Sequence, residues 1–157
     1  MGVSTVRFLR ALAVASVVGA WAVIVIGGYV TQSGSGRGCI DLVLCTQVRD
    51  PTQAAIESSH RVAAWVEGFL VLGMLVLVLR RYREWVPVRN VTAIAFLLIV
   101  AQASLGILAV ATDLDPAVVI AHLGVSTAFL AVTVLNATIV LWGKPPVSVP
   151  RASAKSG

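Results

Sequence analysis

Residues 57–61 place a carboxylate, a histidine and an arginine close together at the start of an apolar run. On a helix, Glu57, His60 and Arg61 would share one side. Such a group can be a solvated helix start, in which Glu57 and Arg61 form an ion pair worth only about a few tenths of a kcal/mol. It can also be a reaction site, in which Glu57 acts as an acid, a base or a charge stabiliser. The spacing alone leaves both interpretations open.

The chain has two histidines, and both lie near the start of an apolar run. His60 precedes Arg80 by 20 residues, and His122 precedes Lys144 by 22. On helices rising ~1.5 Å per residue, both imidazoles would lie about 30 Å from the basic edge. Two imidazoles at one depth on two helices indicate a pair of axial ligands to heme iron. The alternative is two interfacial histidines that bond to a loop or to water. A copper or zinc ion is less favoured, because two histidines leave its coordination incomplete.

The two cysteines, Cys39 and Cys45, lie in a polar stretch between the first two apolar runs. If this stretch faces an oxidising compartment, their spacing permits a local disulfide. A structural bridge that shapes a long loop is the simpler interpretation. A redox-active pair stays open, although it would need an exchange partner.

Two further polar residues lie deeper in the apolar runs. Glu67 follows His60 by seven residues, and therefore lies on the same helix face about 10 Å further in. An ionisable group inside a membrane helix is costly and suggests a function. Gln102 lies at a matching depth on the next run, so the two side chains could form a hydrogen bond. Glu67 is then either a neutral contact between helices or part of a proton relay.

The elements that must position these residues are four long apolar runs. The chain has 157 residues, of which 58% are hydrophobic and 12% charged, and its mean hydropathy is +0.93. This is too apolar for a soluble domain. Each run is long enough to cross a hydrocarbon core of ~30 Å as a helix. We therefore expect an all-α membrane protein with a four-transmembrane-helix bundle over residues 1–143. Its helices should span about 11–31, 57–79, 91–111 and 116–142, with an outer loop at 32–54 and a disordered tail at 144–157.

The basic residues predict the orientation of this bundle. Of the 12 Lys and Arg residues, nine flank the same ends of the runs. Basic loops remain on the cytoplasmic side of the plasma membrane, so both termini should be cytoplasmic. The net charge of +5 is therefore a topology signal, and no nucleic-acid partner is expected. Tyr82, Trp85 and Trp142 should form an aromatic belt at the inner membrane surface.

Several segments together resemble a known family. They occur in the order "GGYVTQSGSGRGC", a second cysteine, "ESSHR", "QASLG" and "AHLGVS". Residues 27–125 are similar in this order to heme A synthase of the cytochrome oxidase assembly machinery. Glu-x-x-His-Arg and the histidine of the fourth helix are the specific elements. A single four-helix repeat resembles the short archaeal type of this family.

The resemblance implies oxidation of a ring methyl of heme O to a formyl group by successive hydroxylations, which gives heme A. His60 and His122 would be heme ligands, bound to heme b, heme O or heme A. Glu57 would be the catalytic carboxylate, while Arg61 could bind a heme propionate. Cys39 and Cys45 would form the loop disulfide.

The resemblance also implies partners. Most members carry two four-helix repeats, so a homodimer or higher homo-oligomer would restore the eight-helix arrangement. Heme O synthase and an unknown electron acceptor would be further partners, beside the membrane lipid. The main alternative is a non-catalytic bis-histidine b-type cytochrome that relays electrons and does not need Glu57. A thiol–disulfide protein and a structural membrane protein without a cofactor also stay open.

Overall fold

The computed structural model describes residues 3–144 and contains four α-helices within them. They are α1 (Val3–Gln32), α2 (Pro51–Arg81), α3 (Val86–Ala111) and α4 (Pro116–Trp142). Each is long and apolar enough to cross a membrane. The predicted all-α bundle of four membrane-spanning helices is confirmed. The tail expected to be disordered lies, from residue 145 onward, outside the described residues.

Three of the helices begin earlier than the apolar pattern predicted. The difference that matters most for the site is at the start of α2. This helix begins at Pro51 rather than near residue 57, so the outer loop is only 33–50. Asp50 caps this helix by accepting a hydrogen bond from Gln53 N, and proline occupies the first turn. Asp115 and Pro116 begin α4 in the same way. Proline at N1 and aspartate at the N-cap favour a helix start, even where the first turn is polar.

The helices form a ring in which each contacts its two neighbours. α2 packs against α1 and α3, and α4 packs against α3 and α1. Within residues 3–144, the backbones of α2 and α4 do not approach each other closely across the ring, nor do those of α1 and α3. Side chains that point inward from α2 and α4 therefore meet around the bundle axis.

The helical hairpin α1–α2 and the helical hairpin α3–α4 bury corresponding positions, which supports an internal repeat. Gly27 and Gly106 differ by 79 positions, and His60 and His122 differ by 62. With the first shift, buried residues of α1 correspond to buried residues of α3; with the second, those of α2 correspond to those of α4. The corresponding buried pairs are Leu9/Val88, Ala13/Thr92, Ser16/Ala95, Val30/Ala109, Glu67/Phe129, Val71/Thr133, Met74/Asn136 and Val78/Val140.

A hydrophobic cluster closes the half of the bundle that contains the turn between α2 and α3, which is called the inner half below; the half with the disulfide loop is called the outer half. Leu9, Val78, Val88 and Val140 are fully buried in it. Tyr82 and Trp85 belong to the same cluster and are 2% and 6% exposed, so they do not form the expected aromatic belt. The short turn between α2 and α3 folds both rings back under the bundle, where they stabilise the core.

Candidate functional site

Each histidine packs against a glycine of the neighbouring helix. The imidazole of His60 on α2 faces Gly27 of α1, where a Cβ atom would lie 2.8 Å from His60 Cε1. The imidazole of His122 on α4 faces Gly106 of α3, where a Cβ atom would lie 3.2 Å from His122 Cε1. The absence of a side chain at these two glycines therefore gives each ring its place.

The two imidazoles lie at corresponding depths on opposite sides of the bundle axis. Gly27 lies five residues before Gln32, the last residue of α1, and Gly106 lies five residues before Ala111, the last residue of α3. The histidines belong to α2 and α4, which face each other across the ring. This places two imidazoles in the outer half of the bundle, one from each hairpin.

The donor set of this site fits heme better than a bare metal ion. The Nδ1 atoms of His60 and His122 are buried and have no hydrogen-bond partner. Within the part of the chain that the structure describes, no three His, Cys, Asp or Glu side chains are grouped to hold a metal ion. A zinc or copper site would need such a group. Heme brings four in-plane nitrogen donors of its own, so two histidines complete its coordination.

Polar side chains of α3 and α4 surround His122. Gln102 Nε2 lies 3.3 Å from His122 Nε2 and also donates a hydrogen bond to Ser126 Oγ. Ser126 in turn donates to the carbonyl oxygen of His122 over 2.8 Å. The network fixes the position of the fourth helix beside Gln102, which orients the ring of His122.

Glu67 does not form the hydrogen bond to Gln102 that the sequence suggested. Its side chain is 3% exposed and packs against α1, where a Cβ atom on Gly19 would clash with the carboxyl group. Gln102 faces α4 instead, because its amide is bound to His122 and Ser126. Both residues are interior, as expected, but they face different neighbours.

Glu57 is buried and both of its oxygen atoms are engaged. Oε2 accepts a hydrogen bond from the backbone N–H of Cys39 over 2.9 Å. Oε1 pairs with the guanidinium of Arg61 at 2.5 Å, and the two side chains are 4% and 14% exposed. Solvated helix pairs contribute little, whereas a buried pair fixes geometry because either partner alone would be an uncompensated charge. The Glu57–Arg61 pair is therefore not a solvated helix start.

Arg61 also holds the outer loop. Its Nη1 donates to the backbone carbonyl of Asp41 over 2.9 Å, in addition to the pair with Glu57. If Arg61 also bound a heme propionate, it would have to do so with a guanidinium that already binds two protein groups.

The loop itself is a compact hairpin around Asp41. Ile40 N donates to Gln47 O and Arg49 N donates to Gly38 O, both over 2.8 Å. Desolvation alone would raise the pKa of the Asp41 carboxyl, but the N–H groups of residues 45–47 and the Thr46 hydroxyl hold this pKa well below its usual range.

A disulfide joins Cys39 and Cys45 across this hairpin. Gly38 lies against the first turns of α2, where a Cβ atom would clash with the backbone of Ala54. The close approach of Gly38 brings the N–H of Cys39 to Glu57.

A contact between the two outer loops closes this end of the bundle. Arg37 forms an ion pair with Asp113 at 2.8 Å and donates a hydrogen bond to the Asp113 carbonyl over 2.7 Å. The Leu114 side chain contacts Gly36 beside it. Asp113 and Leu114 have φ angles of 55° and 63°, a left-handed conformation that non-glycine residues seldom adopt. These contacts with Gly36 and Arg37 of the outer loop hold the strained turn between α3 and α4 in place.

Several residues of the site were not predicted from the sequence. Gly27 and Gly106 were missed as packing partners of the histidines, although both lie in the quoted motifs "GGYV" and "QASLG". Asp41 was missed as the centre of the loop. An aspartate between two cysteines could have suggested a capped turn, because its side chain can bond to nearby backbone N–H groups.

Comparison with known proteins shows the family of the chain. Residues 46–156 match the family model described as COX15-CtaA, cytochrome oxidase assembly protein. Proteins named heme A synthase from Bacillus mycoides (strain KBAB4) and Bacillus cereus (strain AH187) are 31% identical to the chain over 139 residues. The match covers 85% of this chain and 45% of each relative, so the chain spans less than half the length of these relatives. No solved structure matches the chain.

The family match spans α2, α3 and α4, and so includes both histidines and Glu57. Because it covers more than half of the chain, the chain belongs to the COX15-CtaA family of cytochrome oxidase assembly proteins.

Proposed function

We propose that the chain binds heme between His60 and His122, one from each hairpin. The observation that carries this proposal is the pair of glycine contacts, which leave two imidazoles at corresponding depths with buried, unpartnered Nδ1 atoms. Both imidazoles would serve as ligands of the heme iron.

The reaction that we propose is the oxidation of a ring methyl of heme O to a formyl group by successive hydroxylations, giving heme A. The relatives named heme A synthase support this choice of reaction. The bound porphyrin iron supplies the redox chemistry, while the protein supplies orientation and electrostatics. His60 and His122 would hold the heme iron, and the helices around them would limit the access of water. Heme b, heme O and heme A all carry the iron that these ligands would bind.

Glu57 is the proposed catalytic carboxylate. It lies one turn from His60 towards the outer surface, and it is 3% exposed. A fixed negative charge in a dry site stabilises positive charge that develops on a substrate, and such electrostatic stabilisation is often the largest catalytic contribution. Arg61 and the N–H of Cys39 hold this carboxylate in one position.

The Cys39–Cys45 disulfide has a structural role in this proposal. It closes the hairpin that presents the N–H of Cys39 to Glu57, so it helps to position the carboxylate. Reduction would loosen the hairpin without removing a group that touches substrate.

A second function has one observation in its favour. Both oxygen atoms of Glu57 are already bound by protein groups, which is the arrangement expected of a residue that only anchors the loop. The chain would then be a bis-histidine b-type cytochrome that relays electrons. This function needs the histidines but not the charge of Glu57.

Location and partners belong to the same proposal. The basic residues support a plasma-membrane protein whose termini are cytoplasmic, with the heme site near the outer surface. A homodimer would supply as many helices again, which is consistent with relatives more than twice as long as the matched segment. Heme O synthase would supply the substrate, and an electron acceptor would be a further partner.

Two measurements separate the proposed functions. An absorption spectrum of the purified protein should show low-spin heme that is lost or converted in His60→Ala and His122→Ala. Pigment analysis after expression with a supply of heme O should show heme A. Heme without heme A would favour the cytochrome, and a normal heme spectrum in the double histidine variant would exclude axial ligation by this pair.

A further inference from the structure

A small cavity lies on the bundle axis, one helical turn closer to the inner end of the bundle than Glu67. Its volume is about 10 Å³. Six of its lining residues form three corresponding pairs of the two hairpins, so the cavity lies on the axis that relates them. The pairs are Ser16/Ala95, Val71/Thr133 and Met74/Asn136, and Ala13 completes the lining.

Polar atoms without partners face this cavity. Ser16 Oγ and Asn136 Oδ1 are buried and accept or donate no hydrogen bond, and both residues are 3% exposed. Thr133, also 3% exposed, donates to the carbonyl of Leu130 and keeps its acceptor capacity. A buried polar atom that has lost water without gaining a partner is destabilising.

Glu67 lies directly outward of the cavity. It is one turn before Val71 on α2, and its carboxyl group lies against Gly19, which is one turn from Ser16 on α1. Its Oε1 is buried without a partner. The corresponding position in the other hairpin is Phe129, so only one hairpin carries this acid.

Within residues 3–144, Glu67 forms no ion pair, and the surrounding helices explain why. On α2 the ionisable residues are Glu57, His60 and Arg61 on the outer side, and Arg80 and Arg81 at the inner end. The other helices contribute Arg7 and Arg10 on α1, Arg89 on α3 and His122 on α4, and none of these is paired with Glu67. A carboxylate without a cation in the hydrocarbon is strongly disfavoured, so the group is held as a neutral acid.

We propose that the cavity binds one water molecule between Ser16 and Asn136, and that Glu67 is a neutral acid whose proton exchanges with this water. A single water needs a cavity of about this size and two to four polar partners, and Ser16, Thr133 and Asn136 provide them. Exchange breaks the carboxyl O–H bond and a water O–H bond and re-forms both, so no charge is left behind.

Buried hydrophobic clusters lie on both sides of the cavity along the bundle axis. On the inner side, Leu9, Val78, Val88 and Val140 are each 0% exposed. On the outer side lies a second cluster, formed by Ala20, Val71, Ala95 and Phe129. These apolar residues therefore separate the cavity from bulk water at both ends.

Infrared spectroscopy of the full heme-free chain in lipid nanodiscs tests the proposal. At neutral pH, the C=O stretching band of a protonated carboxylic acid should be present and should shift in D₂O. The band should disappear in Glu67→Gln and persist in Glu84→Gln, which removes an exposed carboxylate with 76% side-chain exposure. If the band is absent from the unmodified chain, or persists in Glu67→Gln, the proposal that Glu67 is a neutral acid is overturned.

A second variant tests the water. Ser16→Val removes no hydrogen bond between protein groups but replaces the hydroxyl that would bind the water with methyl groups, so it should expel the water and slow the D₂O shift tenfold or more. Ser104→Val is the matched control, because Ser104 is exposed and bonds only to the carbonyl of Val100. An unchanged exchange rate in Ser16→Val, or a band in the unmodified chain that never shifts in D₂O, overturns the water site.

Discussion

The carboxylate of Glu57 is bound by the backbone N–H of Cys39, 18 positions earlier in the chain, over 2.9 Å. This hydrogen bond joins the disulfide hairpin to the helix that carries His60. Because the donor is a backbone group, the sulfur chemistry of Cys39 and the charge of Glu57 are coupled through the shape of the loop. Changes at either residue should therefore affect the same site in different ways.

Glu57→Gln should separate heme binding from heme oxidation. Glutamine can still accept the Cys39 hydrogen bond, but it loses the charge that pairs with Arg61. We expect a near-normal heme spectrum and a loss of heme A of tenfold or more, with heme O or a hydroxylated intermediate accumulating. Pigment analysis measures this, with Glu84→Gln as the matched control on an exposed carboxylate. Heme A production at the normal rate would make Glu57 a loop anchor alone.

Replacing both cysteines with serine should loosen the hairpin but leave the histidines in place. The bridge closes a short loop, and a loop of this length contributes about 2 kcal/mol to stability through restriction of the unfolded chain. We expect heme binding to be retained and heme A production to fall. Alkylation with and without reductant, followed by mass measurement, should find two protected thiols in the unmodified protein. Two freely alkylated thiols without reductant would exclude the bridge.

The sequence predicted the membrane helices well because the bilayer imposes a simple rule on them. Each of four runs of about 20 apolar residues is long enough to cross the hydrocarbon as a helix, whatever its packing. The start of α2 was placed too late because the rule counts apolar residues, while Asp50 and Pro51 begin the helix in a polar stretch. The same Asp-Pro signal was visible in the sequence at residues 50–51 and 115–116.

The partners of interior side chains could not be predicted from depth alone. Glu67 and Gln102 were placed at one level, yet one faces Gly19 and the other faces His122. Helix rotation decides this, and rotation depends on which faces pack together. In the same way, the glycine contacts of the histidines require the neighbouring helix to be known.

Asp41 should make the outer hairpin insensitive to pH until the medium is strongly acidic. Its pKa is lowered in the folded loop by the hydrogen bonds from residues 45–47. An acid with a depressed pKa gives its full stabilisation above its unfolded pKa of about 3.9 and loses it as the pH falls through the folded value. Disulfide reduction by a phosphine reductant should therefore proceed at a pH-independent rate between pH 5 and 8 once the reagent's own pH dependence is subtracted, and accelerate below about pH 4.

Asp41→Asn provides the matched comparison for this pH dependence. The variant should be reduced faster at neutral pH and should lose the acceleration in acid, because its side chain no longer titrates. Asp50→Asn is a control at the start of α2, where asparagine remains a good N-cap. Acceleration in acid that persists in Asp41→Asn would assign the effect to another group.

A dimer should be the smallest active form of the protein. The chain matches 45% of each relative, so two copies would provide eight helices. Native mass spectrometry in detergent should show twice the mass of the chain, and heme A production should follow the dimer fraction on dilution. A strictly monomeric species with full activity would contradict the prediction.

Substitution of the two glycines should show whether their contacts position the heme ligands. Gly27→Ala would bring a Cβ atom to 2.8 Å from His60 Cε1, and Gly106→Ala to 3.2 Å from His122 Cε1. A Cβ contact of 2.8 Å is shorter than proteins tolerate, so the His60 ring must move in Gly27→Ala. The contact of 3.2 Å in Gly106→Ala requires only a small shift of the His122 ring. Overpacking of this kind costs roughly 1–3 kcal/mol. We therefore expect Gly27→Ala to weaken heme affinity about tenfold or more, and Gly106→Ala to weaken it less.

Gly28→Ala is the matched control for this series. It lies beside Gly27 on the same helix, and a Cβ atom there would meet nothing within 4 Å. Both alanines raise helix propensity by about 1 kcal/mol, so a difference between them reports the contact with His60 and not the helix. Heme titration followed by absorbance measures the affinities, and thermal unfolding of the heme-free protein shows that both variants fold. Equal affinities for Gly27→Ala and Gly28→Ala would mean that His60 is positioned by other contacts.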